Sequence, residues 1–98
     1  MKDKVTVIAH LRARPGKEKQ TQEALLALCG PTRAEKGCIN YDLHESADDP
    51  AMFAFHENWV CKDDLDSHLK TAHIQGFFKR IDELLAEPPK ITLWRFVG

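Results

Sequence analysis

Residues 53–78, FAFHENWVCKDDLDSHLKTAHIQGFF, decide how this chain of 98 residues is expected to fold. The segment alternates like a strand up to Val60, passes through a short acidic turn, and then takes up helical spacing. It holds three of the five histidines and four of the five phenylalanines. Any chemistry is therefore expected where this strand faces these helices.

The chain before this segment predicts one strand and one helix. Lys4 to Arg14 alternates and is rich in β-branched residues, which predicts a strand that Pro15-Gly16 ends. A helix is expected from Lys17. Its inward stripe is Thr21, Leu25, Leu28 and Thr32. Gly30-Pro31 is expected to bend or interrupt it, because proline lacks an amide donor and clashes with the preceding turn. Gly37 is expected to adopt left-handed backbone after the helix.

Two strands are predicted on either side of a turn. Cys38 to Glu45 is the first of them, and three apolar side chains share one of its faces: Ile39, Tyr41 and Leu43. Residues 46–50, SADDP, have the chemistry of a turn. The strand from Ala51 to Val60 is therefore expected to pair antiparallel with its predecessor as a hairpin.

The remaining chain is predicted to add helices and a closing strand. Cys61 to Leu69 begins with acidic residues suited to a first helical turn. Another helical run starts at Thr71 or Ala72. Its stripe is Ile74, Phe77, Phe78, Ile81, Leu84 and Leu85. Pro88-Pro89 stops this run, and Ile91 to Val97 is expected to form the last strand.

The order of elements predicts an α+β domain spanning residues 1–98. A βαββαβ order is that of the ferredoxin-like fold, an antiparallel sheet with helices on one face. The central strand, however, is apolar on both sides. Its two rows are Phe53, Phe55 and Trp59 on one side, and Met52, Ala54 and Val60 on the other. Because the helices cover only one face, we expect a homodimer formed through the sheet faces.

Composition and charge exclude several classes of function. The formal net charge is −1, with 43% apolar and 30% charged residues, so neither a nucleic acid nor an anionic membrane is expected as a partner. The first residues do not resemble a signal peptide, and we expect the protein in the cytoplasm. Three cysteines without CxxC spacing argue against a disulfide framework and a zinc site.

His68 is the most informative single residue. It shares the inward stripe of its helix with Leu65 and Leu69, so it is expected to face the aromatic row of the central strand. One interpretation is a core histidine hydrogen-bonded to a backbone carbonyl. The other is a general base, because the ordinary pKa of imidazole lies nearest neutrality.

The end of the central strand carries the next candidates, Glu57 and Asn58. By alternation Glu57 points with the aromatic row, where a buried carboxylate must be paired or protonated. A strand-end charge that reaches solvent is the alternative. Asn58 and His56 point the other way, where Asp42 and His44 of the neighbouring strand are expected to share a polar cluster with them.

No metal site is predicted from the spacing of the remaining histidines. His73 lies in the turn before the last helical run, where it caps the helix or contacts a substrate. His68 and His73 are five residues apart across an expected break, and no HxxxH pair is present on one helix. Glycine-rich phosphate loops and nucleophile motifs are also absent from the sequence.

Three stretches together resemble the antibiotic biosynthesis monooxygenase family of dimeric α+β barrel proteins. They are TVIAHLRARPGKE (6–18), TRAEKGCINYDLHESADDP (32–50), and ENW (57–59) followed by DLDSHLKTAHIQGFF (64–78). The resemblance implies a homodimer with a pocket between sheet and helices in each subunit. It also implies oxidation of a phenolic or quinol-type small molecule by dioxygen without flavin, haem or metal.

Residue roles follow from this resemblance. His68 is expected to act as base or proton shuttle, with Glu57 or Asn58 orienting the base or the substrate. Apolar walls for an aromatic substrate are expected from Phe55, Trp59 and Phe77, and two further substrate contacts from Tyr41 and His73.

Other activities remain as alternatives. Haem-degrading relatives use an asparagine, a tryptophan and a histidine where this chain matches Ala9, His68 and Phe78, so that activity is not expected. An isomerase of the autoinducer-2 processing type carries a histidine matching His68. Proton-transfer catalysis and a non-catalytic binding dimer therefore stay open.

Overall fold

The computed structural model of the protein describes residues 3–98 and contains four strands and four helices in that range. The strands are β1 (Val5–Arg12), β2 (Cys38–Glu45), β3 (Met52–Trp59) and β4 (Lys90–Trp94). The helices are α1 (Glu18–Arg33), α2 (Lys62–Leu69), α3 (Ala72–Phe78) and α4 (Ile81–Leu84). This confirms the ferredoxin-like α+β fold. In the described part of the chain, no helix is long and apolar enough to span a membrane.

The four strands form one antiparallel sheet in the order β2-β3-β1-β4. Its inner face, turned toward the helices, carries the core side chains of β1 and β3. Register places Leu11 beside Phe53, Ala9 beside Phe55, and Val7 beside Glu57. Strict alternation therefore delivers a carboxylate, Glu57, into an otherwise apolar row, as the sequence predicts.

The helices leave the β4 edge of the inner face open. Ile91 pairs with Ala9 and Leu93 with Val7, so both side chains lie on the inner side of the sheet. They are nevertheless 44% and 49% exposed. The predicted closing strand is also shorter than expected, because β4 ends at Trp94.

Helix α1 continues through Pro31, so of the two effects expected at Gly30-Pro31, a bend or an interruption, the interruption is wrong. The amide that proline lacks would have bonded to the carbonyl of Ala27. Since Ala27 is exposed, water can satisfy that carbonyl, and the helix continues for two more residues.

The expected long helix after Thr71 is divided into α3 and α4 by a break at Lys79 and Arg80. The carbonyl of Leu84, at the end of α4, accepts hydrogen bonds from the Arg14 amide and the Thr21 hydroxyl. These tertiary contacts set the direction of α4. The periodicity of the apolar residues does not report them.

Strand β2 contains an irregularity that corrects the prediction for Ile39. The register shifts between Cys38 and Asn40, and Ile39 is 44% exposed instead of joining Tyr41 and Leu43 on the inner face. An extra residue in one strand displaces the side chains beyond it.

Gly37 adopts the predicted left-handed backbone, with φ of 81°. A second constraint acts there as well, because a Cβ atom at this position would collide with the side chain of Asp64. The turn before β2 therefore packs directly against the first turn of α2.

Candidate functional site

A cavity of about 50 Å³ lies between the inner face of the sheet and the helices. Its polar side chains are Glu57, His68 and Tyr41. The remaining lining is apolar, with contributions from β1, α1 and α3, and it extends to Phe78, Pro89 and Ile91 toward the open β4 edge. The polar groups share this cavity with a long apolar wall.

His68 lies in the last turn of α2 with 3% of its surface exposed. Its Nδ1 atom is 2.8 Å from Oε2 of Glu35, a residue in the loop between α1 and β2. The carboxylate accepts the proton on Nδ1, which selects one tautomer of the neutral ring. The partner of this histidine is thus a carboxylate and not the backbone carbonyl expected for a purely structural core histidine.

The other ring nitrogen of His68, Nε2, is left for the cavity. No residue between 3 and 98 forms a hydrogen bond with this nitrogen. Among the same residues, Thr32 Oγ1 is the only side-chain nitrogen or oxygen that is both fully buried and without a partner, so Nε2 is not fully buried. Nε2 therefore retains access to the cavity that His68 lines. Burial lowers the pKa of His68, against the opposing effect of the Glu35 carboxylate, so the neutral ring is favoured.

Glu57, on strand β3, lines the same cavity as His68 and is 5% exposed. Its Oε1 atom accepts a hydrogen bond of 2.9 Å from the indole N–H of Trp59. Burial raises the pKa of Glu57 to about 7, although the Trp59 hydrogen bond acts in the opposite direction. At neutral pH this carboxyl group is poised between its protonated and ionised forms, which suits proton transfer.

The aromatic residues separate into two groups. Phe55, Phe77 and Tyr41 line the cavity as the sequence analysis expects, and the rings of Tyr41 and Phe55 stack with centroids 4.4 Å apart. Trp59 lies behind this surface: it is fully buried, and its ring is 4.6 Å from that of His68. Trp59 therefore supports Glu57 and His68 and does not form a wall of the cavity.

Two predicted site residues lie outside the cavity. Asn58 points to the opposite face of the sheet, where it bonds with Thr6 and Asn40. Strand alternation makes contact with His68 impossible from that side. His73 is held by Glu35 instead, with its Nε2 atom 2.8 Å from Oε2 of the same carboxylate.

Glu35 is the functional residue that sequence reasoning missed. It follows Thr32, the last residue of the predicted inward stripe, by three positions, and its amide bonds to the Thr32 carbonyl. The stripe therefore continues for one more turn and carries Glu35 to the inner side, where it is 13% exposed at the side chain. A carboxylate in register with a buried stripe was the available signal.

Comparison with known proteins identifies relatives over nearly the whole chain. Residues 4–80 match the family described as antibiotic biosynthesis monooxygenase. The Mycobacterium tuberculosis protein named “Putative monooxygenase Rv0793” is 37% identical over 93 residues, covering 95% of this chain and 91% of that protein. The Bacillus subtilis protein named “Putative monooxygenase YcnE” is 31% identical over 84 residues, covering 86% and 88%.

Solved structures agree with these matches. The crystal structure of PA3566 from Pseudomonas aeruginosa has a TM-score of 0.94 and 34% identity, covering 100% of this chain and 98% of that one. The structure of Rv0793 from Mycobacterium tuberculosis has a TM-score of 0.91 and 33% identity, covering 98% and 97%. The backbone arrangement around the cavity is therefore shared with both proteins.

Proposed function

Because this chain belongs to the antibiotic biosynthesis monooxygenase family, we propose that it oxidises a phenolic or quinol-type small molecule with dioxygen and without a cofactor. The family and the names of its relatives support a monooxygenase-type function in general. The finer statement rests on the site. Its main support is the carboxylate-oriented His68, which presents Nε2 to an apolar cavity.

His68 acts as the general base in this proposal. Its Nε2 atom takes the proton of a phenolic hydroxyl, while Glu35 stabilises the ring through Nδ1. The same carboxylate bonds to His73, which is 23% exposed at the side chain. The series His68, Glu35 and His73 thus offers the proton a path from the cavity to the surface.

The substrate supplies the electrons. A phenolate carbanion forms a bond to one oxygen atom of O₂, and the hydroperoxide then loses water as its O–O bond breaks. One oxygen remains on the substrate as a carbonyl and the other leaves as water. The four electrons come from the substrate, either from a CH₂ group that becomes C=O or from a quinol ring that becomes a hydroxyquinone. Protonated Glu57 is suited to donate a proton to the departing oxygen, because its pKa is raised to about 7.

The cavity favours a compact, mainly apolar substrate. Ligand pockets for drug-sized molecules usually enclose about 300 Å³ or more, whereas this one has about 50 Å³. A single ring can enter only if the side chains at the rim move. Phe78 and Ile91 border the cavity near the open β4 edge and are incompletely buried, so entry is expected there.

An isomerase acting on a small polar molecule fits the same lining less well. Its hydroxyl groups would face apolar residues over most of the cavity, because the polar side chains are limited to Glu57, His68 and Tyr41. Hydroxyl groups buried without partners cost binding free energy. The apolar wall therefore favours a phenolic substrate.

The proposed enzyme is a homodimer that pairs the outer faces of two sheets. Ile8 and Met52 lie on that face, and Trp94 beside them is 55% exposed. The central amide groups there already have partners: Asn58 donates to Asn40 across 2.8 Å and accepts a hydrogen bond from Thr6. Covering groups that are already satisfied costs little desolvation.

The three unpaired cysteines suit the reducing cytoplasm, which we propose as the compartment of this protein.

Oxygen uptake with single-ring hydroquinones, which come closest to the size of the cavity, tests the proposal, using chelator-treated protein. We expect turnover in the wild type, ¹⁸O from labelled dioxygen in the product, and a loss of about 10²- to 10⁴-fold in kcat for His68→Asn. His44→Asn is the matched control, because His44 is exposed on the outer face and should keep full activity.

Three outcomes would contradict this proposal. Unchanged turnover in His68→Asn would remove the base assignment. Exchange of substrate protons with deuterated solvent in the absence of oxygen uptake would indicate the isomerase. Tight binding of aromatic ligands with neither reaction would indicate a binding protein.

A further inference from the structure

Glu35, His68 and His73 come from three separate segments and converge on one point. Glu35 lies in the loop after α1, His68 in the last turn of α2, and His73 in the first turn of α3. One donor atom from each residue lies within 4.8 Å of the other two. The Oε2 atom of Glu35 is 2.8 Å from both His68 Nδ1 and His73 Nε2.

We propose that these three side chains bind a divalent first-row transition-metal ion, for which Zn²⁺ is the natural probe. Two imidazole nitrogens and one carboxylate oxygen form a donor set that suits zinc, cobalt, nickel and iron. The side chain of His73 is 23% exposed, so water can fill a further coordination position. Because the five-residue spacing of the two histidines crosses a break between helices, spacing in the sequence does not indicate this site.

The three donor atoms are already close enough for one metal ion to bind them after local side-chain movement. With metal–ligand bonds of about 2.0–2.1 Å, tetrahedral coordination separates neighbouring donors by about 3.3 Å. The two observed Glu35–histidine distances are 2.8 Å each, so these two pairs need to move apart by about half an ångström. The two histidine nitrogens lie within 4.8 Å of each other and adjust to the same spacing. Thr71 restrains both histidine segments, since its hydroxyl donates to the His68 carbonyl and lies 3.3 Å from His73 Nε2.

The affinity of this site is expected to be moderate. Histidine ligands in dedicated metal sites usually donate their second ring N–H to a carboxylate or carbonyl. Neither His68 Nε2 nor His73 Nδ1 has such a partner within residues 3–98. Missing outer partners weaken metal binding by about 10- to 100-fold, so micromolar rather than nanomolar dissociation constants are expected.

Metal binding at Nδ1 has a consequence for His68. A neutral imidazole carries one proton, and coordination of Nδ1 places that proton on Nε2. The nitrogen facing the cavity is then a donor and no longer a base. Bound metal should therefore inhibit the reaction, a consequence that rests on the proposed function, whereas the metal site itself does not.

Titration of chelator-stripped protein with Zn²⁺ by calorimetry and with Co²⁺ by visible absorption tests the site without any substrate. We expect one ion per chain, and visible cobalt absorption of the high intensity that is typical of Co²⁺ with four or five ligands. Glu35→Gln and His73→Gln should each weaken binding at least about tenfold. His44→Gln should leave it unchanged, because this exposed histidine lies on the opposite face of the sheet.

The proposal is overturned if no one-to-one binding occurs up to millimolar metal, or if His73→Gln binds as tightly as the wild type. Loss of binding in His44→Gln would also overturn it, since the ion would then sit on surface histidines. His73 is partly exposed, so its variant should fold even where Glu35→Gln does not. A protein that binds zinc but consumes no oxygen would retain this site and lose the proposed function.

Discussion

The polar side chains at the inner and outer faces of the sheet differ in how fully they are hydrogen-bonded. At the inner face, Glu57 of β3 and His68 of α2 are buried with one hydrogen-bonding partner each, and both line the cavity. On the outer face, Thr6, Asn58 and Asn40 form a hydrogen-bonded row. A group with unused bonding capacity can act on a ligand, whereas a satisfied network resists change and suits an interface.

The apolar side chains of the two faces are also buried to different extents. Phe53 and Phe55 are 1% and 3% exposed on the inner face, whereas Met52 and Ala54 on the outer face are only partly covered. Folding of one chain thus depends on the inner face. The outer face remains available to a second copy, which is the arrangement we propose.

The largest expected effect is a difference in stability between substitutions at two neighbouring residues that lie on opposite faces of the sheet. Phe53→Ala should lower the free energy of unfolding by about 3–5 kcal/mol, because it leaves a cavity in a packed core. Met52→Ala, one position away, should cost about 1 kcal/mol or less. Urea unfolding of both variants at one protein concentration measures the difference. Equal losses would mean that both faces contribute equally to the folding of the chain.

A smaller, pH-dependent effect is expected from Glu57. Because its folded-state pKa of about 7 lies above the ordinary value of 4.5, protonation stabilises the folded state. That contribution is complete below about pH 4.5 and disappears as the pH rises through about 7. Relative to Glu57→Gln, the wild type should therefore lose roughly 2–3 kcal/mol between pH 5 and pH 8.

Denaturant titrations of both proteins at the two pH values measure this difference. The contributions of the other titratable groups cancel, because the two proteins share them. Glutamine keeps the oxygen that accepts from Trp59, so it preserves the hydrogen bond. Parallel stability curves for wild type and variant would show that Glu57 titrates at an ordinary pKa.

The smallest effect on the individual chain is expected from a charge on the outer face. Ile8 pairs with His56 and Thr92 there and is half-buried. Ile8→Glu should leave the circular dichroism spectrum unchanged, because Ile8 lies on the outer face and is not part of the core of the chain. Buried between two sheets, the same charge should separate the proposed dimer.

Sedimentation at micromolar concentration distinguishes these states. Wild type should sediment as a dimer and Ile8→Glu as a monomer of 11.2 kDa. Leu26→Glu is the control, since Leu26 is already 54% exposed on α1, away from the outer face. A monomeric wild type would contradict the proposed interface.

Strand and helix positions follow from local patterns and were predictable. Alternation places Phe53, Phe55, Glu57 and Trp59 in one row because side chains of a strand point to opposite faces in turn. The inward position of His68 follows from helical spacing in the same way. The strands β2 and β3 were predicted within one residue at each end.

Features that depend on contacts between distant segments were not predictable. The direction of α4 after the break depends on hydrogen bonds from Arg14 and Thr21 to Leu84, which lies more than 60 residues away from both in the chain. The displacement of Ile39 depends on a register shift against β3. Local periodicity carries no information about either partner.

The candidate site shows the same division between sequence and tertiary structure. By itself, the sequence determined that a histidine and a carboxylate would face an aromatic row, because period and burial are local properties. Only the tertiary structure decided that Glu35 binds His68 and His73, which are 33 and 38 residues further along the chain. Their convergence depends on how the end of α1 packs beside α2 and α3, and no spacing in the chain encodes that distance.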